Sequence, residues 1–233
     1  MSAFNFEQIA VVRSCYKEKF GIPRQPGLSN SAETIIELTP PYNQEAYVRE
    51  LEGFSHIWLI FIFHQHLGKQ AKPTVRPPRL GGNKRIGVFA SRSSFRPNPV
   101  GMSVVKLNKV SIEKNKVQLY VSGADLLDGT PVIDIKPYIH YVDMISDATA
   151  AYAEDKPEAT LEVIFSEDAR GSIGPNLEQY PELEQLIIET ISLDPRPAYK
   201  DDDSRIYGLC LYHFNIKWQV IAGRAEILSI SSG

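Results

Sequence analysis

The seven residues Ile57 to Phe63 make the longest strongly apolar run in the chain. A membrane-spanning helix needs about 20 such residues, so this run cannot be one. Its content is β-branched and aromatic, which suits a strand. Because His56-Ile57-Trp58-Leu59-Ile60-Phe61-Ile62-Phe63 shows no polar alternation, it predicts a strand buried on both faces. It ends abruptly in His64-Gln65-His66, so the first polar side chains emerge at the rim of whatever sheet it belongs to.

The flanking sequence extends the same theme. FEQIAVVRS and ETIIELT read as strands, separated by YKEKFGIPRQPGLSNSAE, whose Gly21, Pro23, Pro26 and Gly27 exclude regular structure. NQEAYVRELEGFS predicts a short helix ending at Gly53. Further strands are expected at 85–90, 102–110, 116–124 and 132–136, punctuated by RPNPVG, EKN and DGTP. Seven or eight short strands with one helix predict a β-barrel or sandwich for residues 1–145. SDATAAYAEDKPEA is aperiodic and reads as a linker. A smaller α+β unit then covers 158–233, with a helix over 175–192 and a small antiparallel sheet from IYGLCLYHF, NIKWQVIA and AEILSI, the last two joined through Ala222-Gly223.

Only Cys15 and Cys210 occur, without metal-ligand spacing, so neither a disulfide framework nor a structural metal is expected. Cysteine usage fits a reducing cytoplasm. The first residues, MSAFNFEQIA, lack a basic segment followed by an apolar one, so no signal peptide is expected.

The formal charge of -3 conceals a division. From Gly53 to Ile112 there is no Asp or Glu, while ten Lys and Arg stand there; the other 15 cations and all 28 acids leave -13 elsewhere. Such a stretch is either a footprint for a polyanion such as nucleic acid or a solvated basic face.

The usual cofactor cradles are missing. No G-x-G-x-x-G follows a strand, and G-x-x-x-x-G-K-[ST], G-x-S-x-G and H-E-x-x-H are absent, which disfavours doubly wound dehydrogenases and methyltransferases as well as common hydrolases. The informative clusters are PRQPGL, FHQH, RPPRLGGNKRIGVFASRSSFRPNPVGMS and LLDGTPVIDIKPY. Each sets polar residues on Pro- or Gly-rich loops at strand ends.

In these clusters, and in DPRPAY and LYHFNIKWQV further on, the chain resembles the TsaA-like family of bacterial tRNA methyltransferases O. The resemblance implies a dimeric β-barrel enzyme outside the Rossmann class that methylates N6 of N6-threonylcarbamoyladenosine at tRNA position 37, using S-adenosylmethionine. It implies cofactor contacts from Pro23, Arg24, Gln25, His64, Gln65, Arg92, Met102, Asp128, Gly129, Thr130 and Pro131.

Residue chemistry is compatible with those roles but leaves bland readings open. Arg24 offers a fork for a carboxylate or phosphate, or it sits on a rigid surface loop. His64 binds at a barrel rim, or it is a hydrogen-bonded core histidine with His66 exposed. Asp128 to Pro131 grips a ligand, or it is only a turn. Arg76, Arg79, Lys84, Arg85 and Arg96 are expected at tRNA phosphates, or they are ordinary surface charge. Asp134 stands between Ile133 and Ile135, and a buried carboxylate there needs a partner such as Lys136. Asp134 is the candidate general base for deprotonating the acceptor nitrogen. A noncatalytic RNA- or nucleotide-binding barrel is the alternative from another class.

Overall fold

In a computed structural model, which describes residues 4–196 and 205–233, the first strands are β1 (Ala10–Arg13), β2 (Glu33–Leu38) and β3 (His56–Ile62). A two-residue pair, β4 (Thr74–Val75) and β5 (Ile86–Gly87), precedes β6 (Val100–Glu113), β7 (Lys116–Ser122) and β8 (Pro131–Pro137). Six of these close a barrel in the order β1-β2-β7-β6-β3-β8. Closure leaves no free edge. Its interior is the set of inward residues from all six strands, among them Val12, Ile36, Leu59, Val105, Leu119 and Val132.

The apolar run departs from expectation. β3 alternates: Ile57, Leu59 and Phe61 are buried, while Trp58, Ile60 and Ile62 are only half-buried. Its second face is the outside of the barrel, where Ile60 stands between Met102 of β6 and Asp134 of β8. The predicted helix over 43–53 is also replaced. Two 3₁₀ turns, Glu45–Tyr47 and Leu51–Gly53, flank Glu50, whose φ of 64° breaks the helical path. Only Val48 there is buried, too little apolar surface to hold a helix against the barrel. The strand expected over 85–90 shrinks to β5 followed by a 3₁₀ turn at Val88–Ala90.

After a short helix, α1 (His140–Asp143), the C-terminal unit comprises β9 (Glu162–Phe165), α2 (Glu167–Ile173), α3 (Leu183–Ser192), β10 (Tyr207–Leu211), β11 (Phe214–Ile221) and β12 (Arg224–Ser232). The sheet order is β10-β11-β12-β9, antiparallel except for the parallel pair β12 and β9. The β11–β12 turn uses Ala222 and Gly223, both with positive φ, the geometry of a tight hairpin. The helix expected over 175–192 is shortened to α3, which starts only after Pro181 and is preceded by a 3₁₀ turn at Gly174–Asn176; α2 is an additional helix, capped by Ser166, whose Oγ accepts from the Ala169 amide at 3.1 Å. No helix among the described residues is long and apolar enough to cross a membrane.

Candidate active site

A cavity of about 420 Å³ opens at one end of the barrel, within the range of small-molecule sites. Five segments line it. The loop after β1 gives Lys19, Ile22, Pro23, Arg24, Gln25 and Pro26; the end of β3 gives Phe61, Phe63, His64, Gln65 and His66; the loop before β6 gives Ser91, Arg92, Ser94 and Arg96. The start of β6 adds Val100 to Ser103, and the turn before β8 adds Asp125, Leu126, Leu127 and Thr130. At Gly101 a side chain would not fit: a Cβ there would lie 2.4 Å from the Phe61 ring.

The two charged walls are joined. Arg92 Nη1 donates to Gln25 Oε1 at 2.8 Å, tying the loop after β1 to the loop before β6. Arg96 turns inward on its own loop, donating to the carbonyls of Ser91 (3.1 Å) and Ser93 (3.4 Å), so it fastens the segment that displays Arg92. The histidines exchange the places of the bland reading. His66 is buried, edge-on to Phe95 with ring centroids 4.5 Å apart, and His64 is half-buried at the wall. The Lys19 ammonium can only donate, so His66 Nδ1 accepts from it at 3.5 Å and Nε2–H faces Ser94 Oγ at 3.2 Å. Burial, then the Lys19 charge, lowers the pKa of both histidines and keeps them neutral.

The anion of the cavity is Asp125. Its Oδ1 accepts from Ser103 Oγ at 2.6 Å. Desolvation pushes its carboxyl up to about 6, against the opposing pull of the Ser103 hydrogen bond and the Arg92 charge. Sequence reasoning missed it because SGADLLDG reads as a turn with nothing to distinguish one Asp from the other.

Residues 11–144 match the tRNA-methyltransferase O N-terminal domain, and 158–233 match the TrmO C-terminal domain. The chain belongs to the tRNA-methyltransferase O family. It is 48% identical to the Escherichia coli (strain K12) tRNA (adenine(37)-N6)-methyltransferase over 232 residues, 99% of each chain. It is 45% identical over 214 residues, 90% of each, to a Pseudomonas aeruginosa protein named putative S-adenosylmethionine-dependent methyltransferase RcsF. The crystal structure of TrmO from Pseudomonas aeruginosa superposes with a TM-score of 0.83 at 34% identity, covering 99% of both chains.

Of the residues that the tRNA-methyltransferase O resemblance implied for the cofactor, Pro23, Arg24, Gln25, His64, Gln65, Arg92, Met102 and Thr130 meet at this cavity. Asp128, Gly129 and Pro131 do not line it. Asp128 turns away, accepting from the Ser14 amide at 2.9 Å and pairing with Lys17 at 2.9 Å; Gly129 supplies the turn with φ 75°, and Pro131 opens β8 opposite Val11.

Asp134 is also outside the cavity. From buried Val132, strict alternation would turn Asp134 inward. A bulge intervenes: Ile60 pairs with Asp134 while Phe61 pairs with Val132, so Ile133 is the extra residue and Asp134 moves to the outer face. There it pairs with Lys136 at 2.8 Å, both side chains well exposed.

Arg76, Arg79, Lys84 and Arg85 are exposed on the β4–β5 excursion. Arg79 bonds the Asp155 carbonyl in the segment joining the two units. Of DPRPAY, residues 194–196 are described, with Arg196 paired to Asp194 at 2.8 Å; residues 197–199 lie outside the described residues.

Proposed function

We propose that this protein transfers a methyl group from S-adenosylmethionine to N6 of adenine 37 in tRNA. The observation that carries this reading is full-length similarity to a tRNA (adenine(37)-N6)-methyltransferase, and the side chains of the cavity fit the cofactor. Arg92 and Arg24 offer guanidiniums to a carboxylate, Asp125 offers an anion, and Ile22, Phe61, Phe63 and Leu126 offer apolar surface to a purine. When bound, the cofactor supplies an electrophilic methyl group on a sulfonium.

The protein's own contribution is alignment and a proton acceptor. The N6 lone pair is delocalised into the ring, so loss of the N6 proton at or before transfer lowers the barrier. Asp125 takes the place proposed from sequence for Asp134: Oδ1 is held by Ser103, leaving Oδ2 to take the proton, and a carboxyl pushed up to about 6 is well matched to neutral pH. The neutral histidines and the apolar walls limit water beside it.

Three finer points belong to the same reading. The substrate is adenine 37 already bearing a threonylcarbamoyl group: Lys19 stands on the cavity wall, and among the described residues no carboxylate pairs with it, which suits it to the substrate's own carboxylate. Arg76, Arg79, Lys84 and Arg85 meet tRNA phosphates, which position the RNA without reading its sequence, whereas Arg96, expected there from sequence, holds its own loop instead. The working unit is a homodimer in the cytoplasm, where tRNA is found. Its support is the apolar exterior of β3, where Trp58, Ile60 and Ile62 are only half-covered beside Met102, together with exposed Tyr141, Val142, Met144 and Ile145 around α1.

Labelled S-adenosylmethionine incubated with tRNA that carries or lacks the threonylcarbamoyl group tests the reading. Label at position 37 of the modified tRNA is expected. Binding of both partners with no transfer would overturn it in favour of a noncatalytic RNA-binding barrel.

A further inference from the structure

The Pro23–Gln25 wall of the cavity is held only in part by the barrel, through the Gly27 amide on the Gly123 carbonyl at 2.9 Å and Arg92 on Gln25. β1 ends at Arg13 and β2 begins at Glu33, and the 19 intervening residues run into the C-terminal unit. Cys15, Tyr16 and Ala32 are buried in its core with Leu186, Ile187 and Leu209, and Phe20 and Ile22 pack against it. Main-chain contacts reinforce the insertion: Tyr16 bridges Leu211, the Tyr212 amide donates to the Cys15 carbonyl at 2.7 Å, and the Cys210 amide donates to Glu18 Oε1 at 3.0 Å. At Gly21, with φ 87°, a Cβ would fall 2.2 Å from Leu209 Cδ1, so the backbone is pressed directly onto β10.

The far end of the loop is fixed by one carboxylate of α3. Glu189 Oε2 accepts from Ser29 Oγ at 2.8 Å, the Asn30 amide at 3.0 Å and the Ser31 amide at 3.2 Å, and Oε1 accepts from Ser31 Oγ at 2.7 Å. Residues 22–28 are strung between these two anchors. Arg24 Nη2 also reaches the Asp194 carbonyl, just beyond α3, at 3.5 Å.

We infer that the C-terminal unit builds and holds one wall of the cofactor cavity, with Glu189 as the positioning residue that sets Pro23, Arg24 and Gln25. This rests on the cavity being the S-adenosylmethionine site. A loop fixed beforehand costs the ligand no ordering on binding. A glutamine at 189 keeps the shape but turns four charge-assisted hydrogen bonds from the loop into neutral ones, and one of its two terminal atoms, now a donating amide, no longer accepts from the loop.

The test is Glu189→Gln in the full chain, with Glu184→Gln as control, since Glu184 lies on the same helix but pairs outward with Arg170 at 3.4 Å. Calorimetric Kd for S-adenosylmethionine and its KM are expected to rise about tenfold, with kcat at saturating cofactor and KM for tRNA within about twofold and the control unchanged. If Glu189→Gln does not fold, Ser29→Ala with Ser31→Ala, which removes two of the four loop donors, carries the same expectation. A folded variant with unaltered Kd would overturn the inference, as would equal losses in kcat and tRNA KM, which mark general disruption. Wild-type protein that fails to bind S-adenosylmethionine would instead overturn the reading of the cavity.

Discussion

Ser103 and Asp125, 22 residues apart in sequence and on neighbouring parts of the barrel mouth, share a hydrogen bond of 2.6 Å. The pair makes a half-buried, desolvated carboxylate tolerable without neutralising it. With the Asp125 carboxyl at about 6 and its ionised form the active one, methyl transfer rises with pH through about 6 and is flat above about pH 7. Asp125→Asn is expected to lower kcat by at least about 100-fold, the usual worth of a general base. A pH–rate profile under single-turnover conditions checks both. A profile that is flat from pH 5 to 8 would remove Asp125 from the reaction.

The same substitution carries a stability prediction of opposite sense. The folded-state pKa lies above the unfolded value of about 3.8, so ionisation penalises the folded state. The penalty is absent below about pH 4 and complete above about pH 6, at 1.36 kcal/mol per unit. Asp125→Asn is therefore expected to be more stable than the parent by on the order of 3 kcal/mol at pH 8, with no gain at pH 3.5. Urea melts at the two pH values measure the difference.

Arg92 bridges to Gln25 and so is a strut as well as, on the proposed reading, a ligand group. Arg92→Ala is expected to weaken S-adenosylmethionine binding by about tenfold or more. Arg92→Lys is not expected to restore it, because an ammonium lacks the planar fork that spans two acceptors. Ligand-induced shifts in Tm rank the three proteins.

The basic excursion answers to salt. Replacing Arg76, Lys84 or Arg85 singly by Ala should reduce the slope of log affinity for tRNA against log salt by about 0.7 to 0.9 for each phosphate no longer neutralised. Arg96→Ala should leave the slope nearly intact and impair cofactor binding instead, because its guanidinium holds loop carbonyls. Filter binding between 50 and 200 mM salt, a range in which such slopes are resolved, separates the two behaviours.

On the barrel exterior, Ile60→Lys places a charge amid Met102, Trp58 and Ile62 without entering the core. On the proposed homodimer, sedimentation should show a dimeric parent and a monomeric variant, with an unaltered circular dichroism spectrum. A dimeric variant would exclude this face as the subunit contact.

Much of the barrel is legible because strands with inward apolar residues write their period into the sequence. The β3 run misleads in an instructive way: its outward residues are apolar although the barrel does not bury them. Asp134 stands out soundly as a carboxylate in an apolar strand, but a bulge at Ile133 reverses which face it occupies, and no local pattern announces that extra residue. Asp125 is invisible for another reason. Its burial comes from β6 and the Arg92 loop folding over a turn, a long-range event that the turn's own residues do not encode. The insertion of 15–32 into the second core is likewise long-range, set by partners near 190 and 210.

That insertion has a consequence for synthesis. Residues 14–32 emerge from the ribosome early, yet the surfaces they dock on belong to α3, β10 and β11, roughly 150 to 200 residues later. At ~5–20 residues per second, a nascent barrel could pair all six strands and still wait several seconds or more with one side of its mouth undone and Tyr16 and Phe20 exposed. On the proposed reading, the cofactor cavity is thereby completed only when nearly the whole chain has been made, and the exposed loop is a natural stretch for a chaperone to shield.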